Sequence, residues 1–153
     1  MARTRFSGPV ASDNGFEGNV TGNVTGNIAG TGRITHTTTA AINATATASA
    51  AQVATGYITS TSAAATTITL PTGTALGTAL GAVKGTVFVL YIDNTGGASA
   101  VTIAVNTNAI LSTAAADTAA SFGDLTVAFG ATGLARYTLM FSSPTAYVFT
   151  RTA

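Results

Sequence analysis

Thr86-Val87-Phe88-Val89-Leu90-Tyr91-Ile92-Asp93 is the strongest strand signal in the chain. β-branched and aromatic residues fill it, and such residues suit a pleated, packed surface. Val87, Val89 and Tyr91 occupy one alternate set, and Phe88, Leu90 and Ile92 the other. Successive strand residues point to opposite faces of a sheet, so apolar residues in both sets predict a central strand covered on each side. The fold around this run is therefore read as β.

Working outward from it, Asn94-Thr95-Gly96-Gly97 predicts a hairpin turn. The partner strand is expected from Ala100 to Asn106, with Val101, Ile103 and Val105 inward and Thr102 and Ala104 outward. Leu125, Val127 and Phe129 mark another strand. Tyr137, Leu139 and Phe141 then alternate with Arg136, Thr138, Met140 and Ser142, until Pro144 breaks the run and Ala146 to Thr150 closes the chain. Upstream, Tyr57-Ile58-Thr59 and Thr66 to Leu70 read as short strands, the second stopped by Pro71. Leu76, Leu80 and Val83 fall at i, i+4 and i+7 and predict one short helix. Thr74 can cap its start, Lys84 and Gly85 suit its end, and Gly77 and Gly81 weaken it. Short strands with turns between them predict an all-β head over residues 53–153, an antiparallel β-sandwich of jelly-roll type.

Before the head, residues 37–52 are a Thr/Ala-rich stretch without a stripe of large apolar residues, read as a linker able to hold a strand. Residues 18–36 carry a four-residue repeat, Gly18-Asn19-Val20-Thr21-Gly22-Asn23-Val24-Thr25-Gly26-Asn27-Ile28-Ala29-Gly30. No helix has that period, and collagen needs Gly every third residue. An extended chain would place Val20, Val24 and Ile28 on one face, separated by glycine gaps. Copies of the chain around an axis can bury that ladder, so the repeat predicts a self-associating stalk about 45–50 Å long. Residues 1–17 read as an irregular arm, in which Phe6, Val10 and Phe16 have no periodic apolar partners.

Of the 153 residues, 7% are charged and 46% hydrophobic, with a net charge of +1. Soluble domains carry about 25% charged residues, so this chain is expected to bury much of its surface against other subunits. A net charge so near zero predicts no nucleic-acid partner. No run reaches the apolar length of a membrane span, the basic N-terminus lacks the apolar core of a secretory signal, and without Cys there is no disulfide framework.

The residues that carry chemistry are sparse. His36 is the one histidine, flanked by Thr35 and Thr37, and reads as a solvated linker residue. Its sharper reading is an axial metal or anion site, where three copies would supply three imidazoles. The acids Asp13, Glu17, Asp93, Asp117 and Asp124 show no local pattern that would place a carboxylate behind that histidine. Asp93-Asn94-Thr95 lacks the further acids of a calcium loop, and Asp117 with Asp124 would form a glycosidase pair only at the right separation. Tyr57, Tyr91, Tyr137 and Tyr147 could line a sugar-binding face, although packing is the default for tyrosines on strands. No catalytic residue and no cofactor is therefore expected, and the chain is read as a non-enzyme.

Arg5-Phe6-Ser7-Gly8-Pro9-Val10, Asn14-Gly15-Phe16 and the Gly-Asn-Val-Thr repeat resemble the N-terminal arm of tailed-bacteriophage capsid decoration (cement) and head-fibre proteins. Ala51-Gln52-Val53, Gly56 to Ser62, Thr67 to Thr72 and Val89 to Thr95 look like the β-domain of that family. The resemblance implies a homotrimer on the outer capsid surface of a virion, bound to the major capsid protein. With the shell as partner, the unpaired apolar and basic residues of the arm, Arg3, Arg5, Phe6, Val10 and Phe16, are the expected shell contacts, and the ladder residues Val20, Val24 and Ile28 the expected trimer contacts. The alternative it carries is a head fibre or spike whose head binds a host receptor or glycan.

Overall fold

Through most of the described chain successive strands alternate between two sheets, and the last two fold back on each other as a hairpin. The computed structural model describes His36, residues 38–111 and residues 125–152. The expected arm and stalk, with Arg3, Arg5, Phe6, Val10, Phe16, Val20, Val24 and Ile28, lie outside the described residues, as do Asp117 and Asp124. In chain order the elements are β1 (Ala40–Ala41), β2 (Ala46–Thr47), α1 (Ala50–Ala54), β3 (Tyr57–Thr59), β4 (Thr66–Thr69) and α2 (Gly73–Leu80). They continue with β5 (Val87–Asp93), β6 (Val101–Ala104), β7 (Ala109–Leu111), β8 (Thr126–Val127), a 3-10 turn (Gly130–Thr132), β9 (Leu134–Ser143) and β10 (Ala146–Arg151).

The six-stranded sheet runs β1-β3-β5-β9-β10-β7 and the four-stranded sheet β2-β4-β6-β8. From β1 to β6 each odd strand enters the first sheet and each even strand the second, so the chain winds round the core in three laps. Winding makes successive strands of one sheet parallel: β1 with β3, β3 with β5, β2 with β4 and β4 with β6. The other sheet serves as the crossover that parallel strands require. β7 also lies parallel to β10, and only β5–β9, β9–β10 and β6–β8 are antiparallel. The head is mostly β, as expected, but both sheets are mixed, and the antiparallel jelly-roll reading is corrected.

The segment after β5 shows how the chain is held to this path where a hairpin was expected. Asn94 is fully buried, and its Nδ2 donates to the carbonyls of Ser99 at 2.9 Å and Ala128 at 2.8 Å. Its backbone N–H donates to Gly133 at 2.7 Å. These bonds carry the chain across the core instead of closing a hairpin, so β6 pairs with β4 and β8, not with β5. Val105, expected inward, follows the end of β6 and is exposed, as is Phe129 beyond β8.

Inward-facing residues of both sheets meet in one core. One rung of it crosses four strands as Ala40, Ile58, Ile92 and Ala135, all buried. Large side chains fill the middle of the rung and alanines its ends. The stretch read as a linker belongs to this core: β1 and β2 extend the two sheets, and Ile42 and Ala48 are buried. α1 starts in a capping box, with Gln52 N donating to Ser49 Oγ and Ser49 N to Gln52 Oε1.

α2 is capped by Thr72 rather than Thr74, and ends at Gly81 in the left-handed conformation (φ 59°) rather than at Lys84 and Gly85. Val83 lies beyond it, 62% exposed. Gly77 does more than weaken this helix. A Cβ there would collide with the backbone carbonyl of Pro144 in the β9–β10 turn, and one at Gly73 with the carbonyls of Thr145 and Asn108. Glycine at both positions lets α2 lie directly on that turn.

Candidate functional site: the outer face of the six-stranded sheet

Alternation along the strands divides this sheet cleanly. Ile58, Leu90, Ile92, Tyr137, Leu139, Phe141, Tyr147 and Phe149 point into the core and are buried. The intervening residues form the opposite face, and the strand registers align them in rows.

The first row is Val87 on β5, Met140 on β9, Val148 on β10 and Ile110 on β7, each the ladder partner of the next. Val87, Met140 and Ile110 are 53%, 54% and 55% exposed, and Val148 is half-buried. Scattered surface aliphatics need no explanation, but four in register across four adjacent strands form one apolar band. Val89, Thr138 and Thr150 make the next row, and Tyr57, Tyr91 and Arg136 the one after it.

His36 sits over this third row. Its Nδ1 donates to the Thr55 carbonyl at 2.9 Å. Its ring centroid lies 5.9 Å from Tyr57 and 5.8 Å from Tyr91, whose own centroids are 6.1 Å apart. The ring rests on Gly56 (φ +75°), where a Cβ would meet Cε1 at 2.5 Å. The solvated linker histidine of the sequence reading is thus a half-buried ring held by one hydrogen bond and two aromatic contacts.

Beside it, Tyr57 donates its hydroxyl to Asp93 Oδ2 at 2.7 Å, while Thr95 gives Oδ1 its backbone N–H at 2.9 Å and its hydroxyl at 2.6 Å. Burial pushes the Asp93 carboxyl up, but the bonds from Thr95 and Tyr57 outweigh it and hold the group below its usual range. The same bond to Asp93, with burial and the carboxylate charge, raises the Tyr57 hydroxyl. Both oxygens of Asp93 are thereby engaged in bracing the loop that leaves β5. Among the described residues no group of three His, Cys, Asp or Glu side chains gathers to hold a metal, and no helix is long and apolar enough to cross a membrane.

The four tyrosines considered for a sugar-binding face therefore separate. Tyr57 and Tyr91 lie on the outer face, half-buried. Tyr137 and Tyr147 are in the core, where Tyr147 donates its hydroxyl to the Pro71 carbonyl at 2.8 Å and burial pushes it far above its usual range. Sequence reasoning did not single out Val87, Ile110, Met140 and Val148 as a surface. The usable signal was the apolar outer set of the Val87–Asp93 run, which it took as covered by the chain itself. Comparison with known protein families, curated proteins and solved structures finds no match.

Proposed function

We propose that this chain is a structural assembly protein, a homotrimeric decoration (cement) protein fastened to the outer surface of a phage capsid and stabilising it. The observation that carries the reading is the outer sheet face: four aliphatics in register, set on a head with very little charge. Such a surface is costly in water and gains free energy when another protein covers it. The resemblance of the arm and repeat to phage decoration proteins supplies the shell as partner. In this reading Arg3, Arg5, Phe6, Val10 and Phe16 contact the major capsid protein, and Val20, Val24 and Ile28 associate within the trimer. Three arms on one trimer offset the cost of ordering each, because the first contact raises the effective concentration of the others.

The test is to delete residues 2–17 and mix the product with undecorated capsids. Decoration is expected to fall by more than about 100-fold in affinity, the scale that lost multivalency allows. Decoration at parental affinity would remove the arm from the contact. A second reading, a head fibre whose head binds a host glycan, is favoured by Tyr57 and Tyr91 standing half-buried beside Asp93 on the outer face. Copy number on purified virions separates the two: hundreds over the shell for decoration, a few at one vertex for a receptor fibre.

A further inference from the structure

We infer that the core of the head binds an internal water between the Ser60 hydroxyl and the Asn94 side-chain carbonyl, and that this water ties together two of the crossings between the sheets. Asn94 is 0% exposed and Ser60 1%. Nδ2 of Asn94 donates to the carbonyls of Ser99 and Ala128. Exchanging the two ends of the amide would set an oxygen against two carbonyl oxygens, so the orientation is fixed and Oδ1 is the end turned away from them. Among the described residues, Asn94 Oδ1 and Ser60 Oγ are the two buried side-chain atoms that have no hydrogen-bond partner.

The strand registers make these two residues neighbours. β3 and β5 run parallel, with Ile58 opposite Ile92 and Thr59 opposite Asp93. Ser60 N donates to the Asp93 carbonyl at 2.7 Å, which carries the ladder one step further and sets Ser60 beside Asn94. Each lies two residues beyond a buried isoleucine, so alternation turns both side chains into the core. Serine fills less of its level of the core than Ile58 does of the level before, and its hydroxyl is polar where the isoleucine is not.

Chemistry selects the occupant. Oδ1 only accepts, so its partner must donate, while Ser60 Oγ can donate or accept. Leaving both atoms unpaired in the core costs the desolvation of each. Water serves both at once, and two polar partners are enough to hold a buried water. A cation would meet the same two oxygens, but a buried charge needs a counter-charge. The carboxylate nearest in sequence, Asp93, has both oxygens bonded to Tyr57 and Thr95 on the outer face.

The position gives the water its role. The chain crosses from the first sheet to the second after β1, after β3 and after β5. The first two crossings are joined by a side chain, since Thr61 N donates to Asn43 Oδ1 at 2.8 Å. The second and third are joined at the surface, where Ala98 N donates to the Ser62 carbonyl at 3.0 Å. Ser60 opens the second crossing and Asn94 the third, so a water between them joins the same pair from inside the core. It exchanges with solvent only when those crossings part.

The experiment uses the full chain and Ser60→Ala. A crystal structure of the parent, at a resolution that shows ordered core water, is expected to hold a solvent peak about 2.7–3.2 Å from both Ser60 Oγ and Asn94 Oδ1. In solution, oxygen-17 relaxation dispersion should count one long-lived water fewer in Ser60→Ala than in the parent, with an unchanged β signal by circular dichroism. Deuterium exchange at the Ser60 and Asn94 amides should be at least about 10-fold faster in the variant. A direct Ser60 Oγ to Asn94 Oδ1 bond, or no solvent peak between the two atoms, overturns the inference. So does an equal count of long-lived waters in the two proteins. A peak ringed by six or more oxygens at about 2.3–2.6 Å would be a cation and overturns it as well. Unaltered amide exchange removes the tie between the crossings. Should Ser60→Ala fail to fold, the parent crystal decides alone.

Discussion

Tyr57 links two parts of the outer face through one atom. Its hydroxyl donates to Asp93 at 2.7 Å, and its ring carries His36. Burial pushes the Asp93 carboxyl up, but the two bonds from Thr95 and, behind them, this one from Tyr57 favour the ionised carboxylate and hold it below its ordinary value. A carboxyl lowered in the folded state contributes stability that is present above its unfolded value and lost as pH falls through the folded one. Tyr57 itself is raised, so its share is present below its ordinary 10.0 and lost as pH rises through the folded value. Removing the hydroxyl in Tyr57→Phe should move the Asp93 titration upward, toward the unperturbed range, in a carboxyl-carbon NMR titration. An unmoved Asp93 would mean that Thr95 alone holds it. His36 is a different case, since its identity was legible in the sequence and its placement was not. Nothing local tells a histidine between two threonines that Gly56, 20 residues on, leaves space for its ring.

At the scale of elements, α2 shows how a propensity argument and a packing argument can diverge. Glycine inside a helix costs about 1 kcal/mol relative to alanine when nothing else matters. At Gly77 the neighbour is backbone, the Pro144 carbonyl, which has no side-chain freedom to move aside. Gly77→Ala should therefore destabilise the head by about 2–3 kcal/mol despite its better helix propensity. Gly81 is the comparison: it is left-handed, with open space around it, so Gly81→Ala should cost only about 1 kcal/mol through backbone strain. Denaturant melts of the two variants check this, and equal losses would contradict the close approach of α2 to the turn. The strands were more legible than the helix. A run of β-branched and aromatic residues marked β5 to within a residue, period-two alternation marked β9 from Arg136 onward, two residues after its start, and the closing run from Ala146 marked β10 to within a residue. β1, β2 and α1 were not marked, because alanine and threonine give no contrast between faces.

For the whole molecule, the decisive feature is winding. Residues 40–48 add one strand to each sheet, so the Thr/Ala-rich stretch is the first lap of the head and not a tether. Ile42 tests this. It is 5% exposed, and its N–H donates to the Thr59 carbonyl at 2.9 Å, continuing the β1–β3 ladder. Ile42→Ala should lower the stability of the entire head by about 2–4 kcal/mol in a single cooperative transition. A variant that melts like the parent would return residues 37–52 to the role of linker.

By itself the sequence determined that the head is built of strands, where its main strands lie and which residues of β9 face inward. Those properties follow from side-chain chemistry repeated at short range, and they can be read without knowing what the chain folds against. Only the tertiary structure decided that β5 and β6 belong to different sheets. Parallel and antiparallel neighbours use the same residues, and what holds the crossing after β5 is long-range: the buried amide of Asn94 bonds to carbonyls as far away in sequence as Ala128. Only the structure, too, turned the outer set of Val87, Val89 and Tyr91 from a second buried face into an open one. Burial depends on what the rest of the chain brings alongside, and the described chain brings nothing to Val87, Met140 and Ile110.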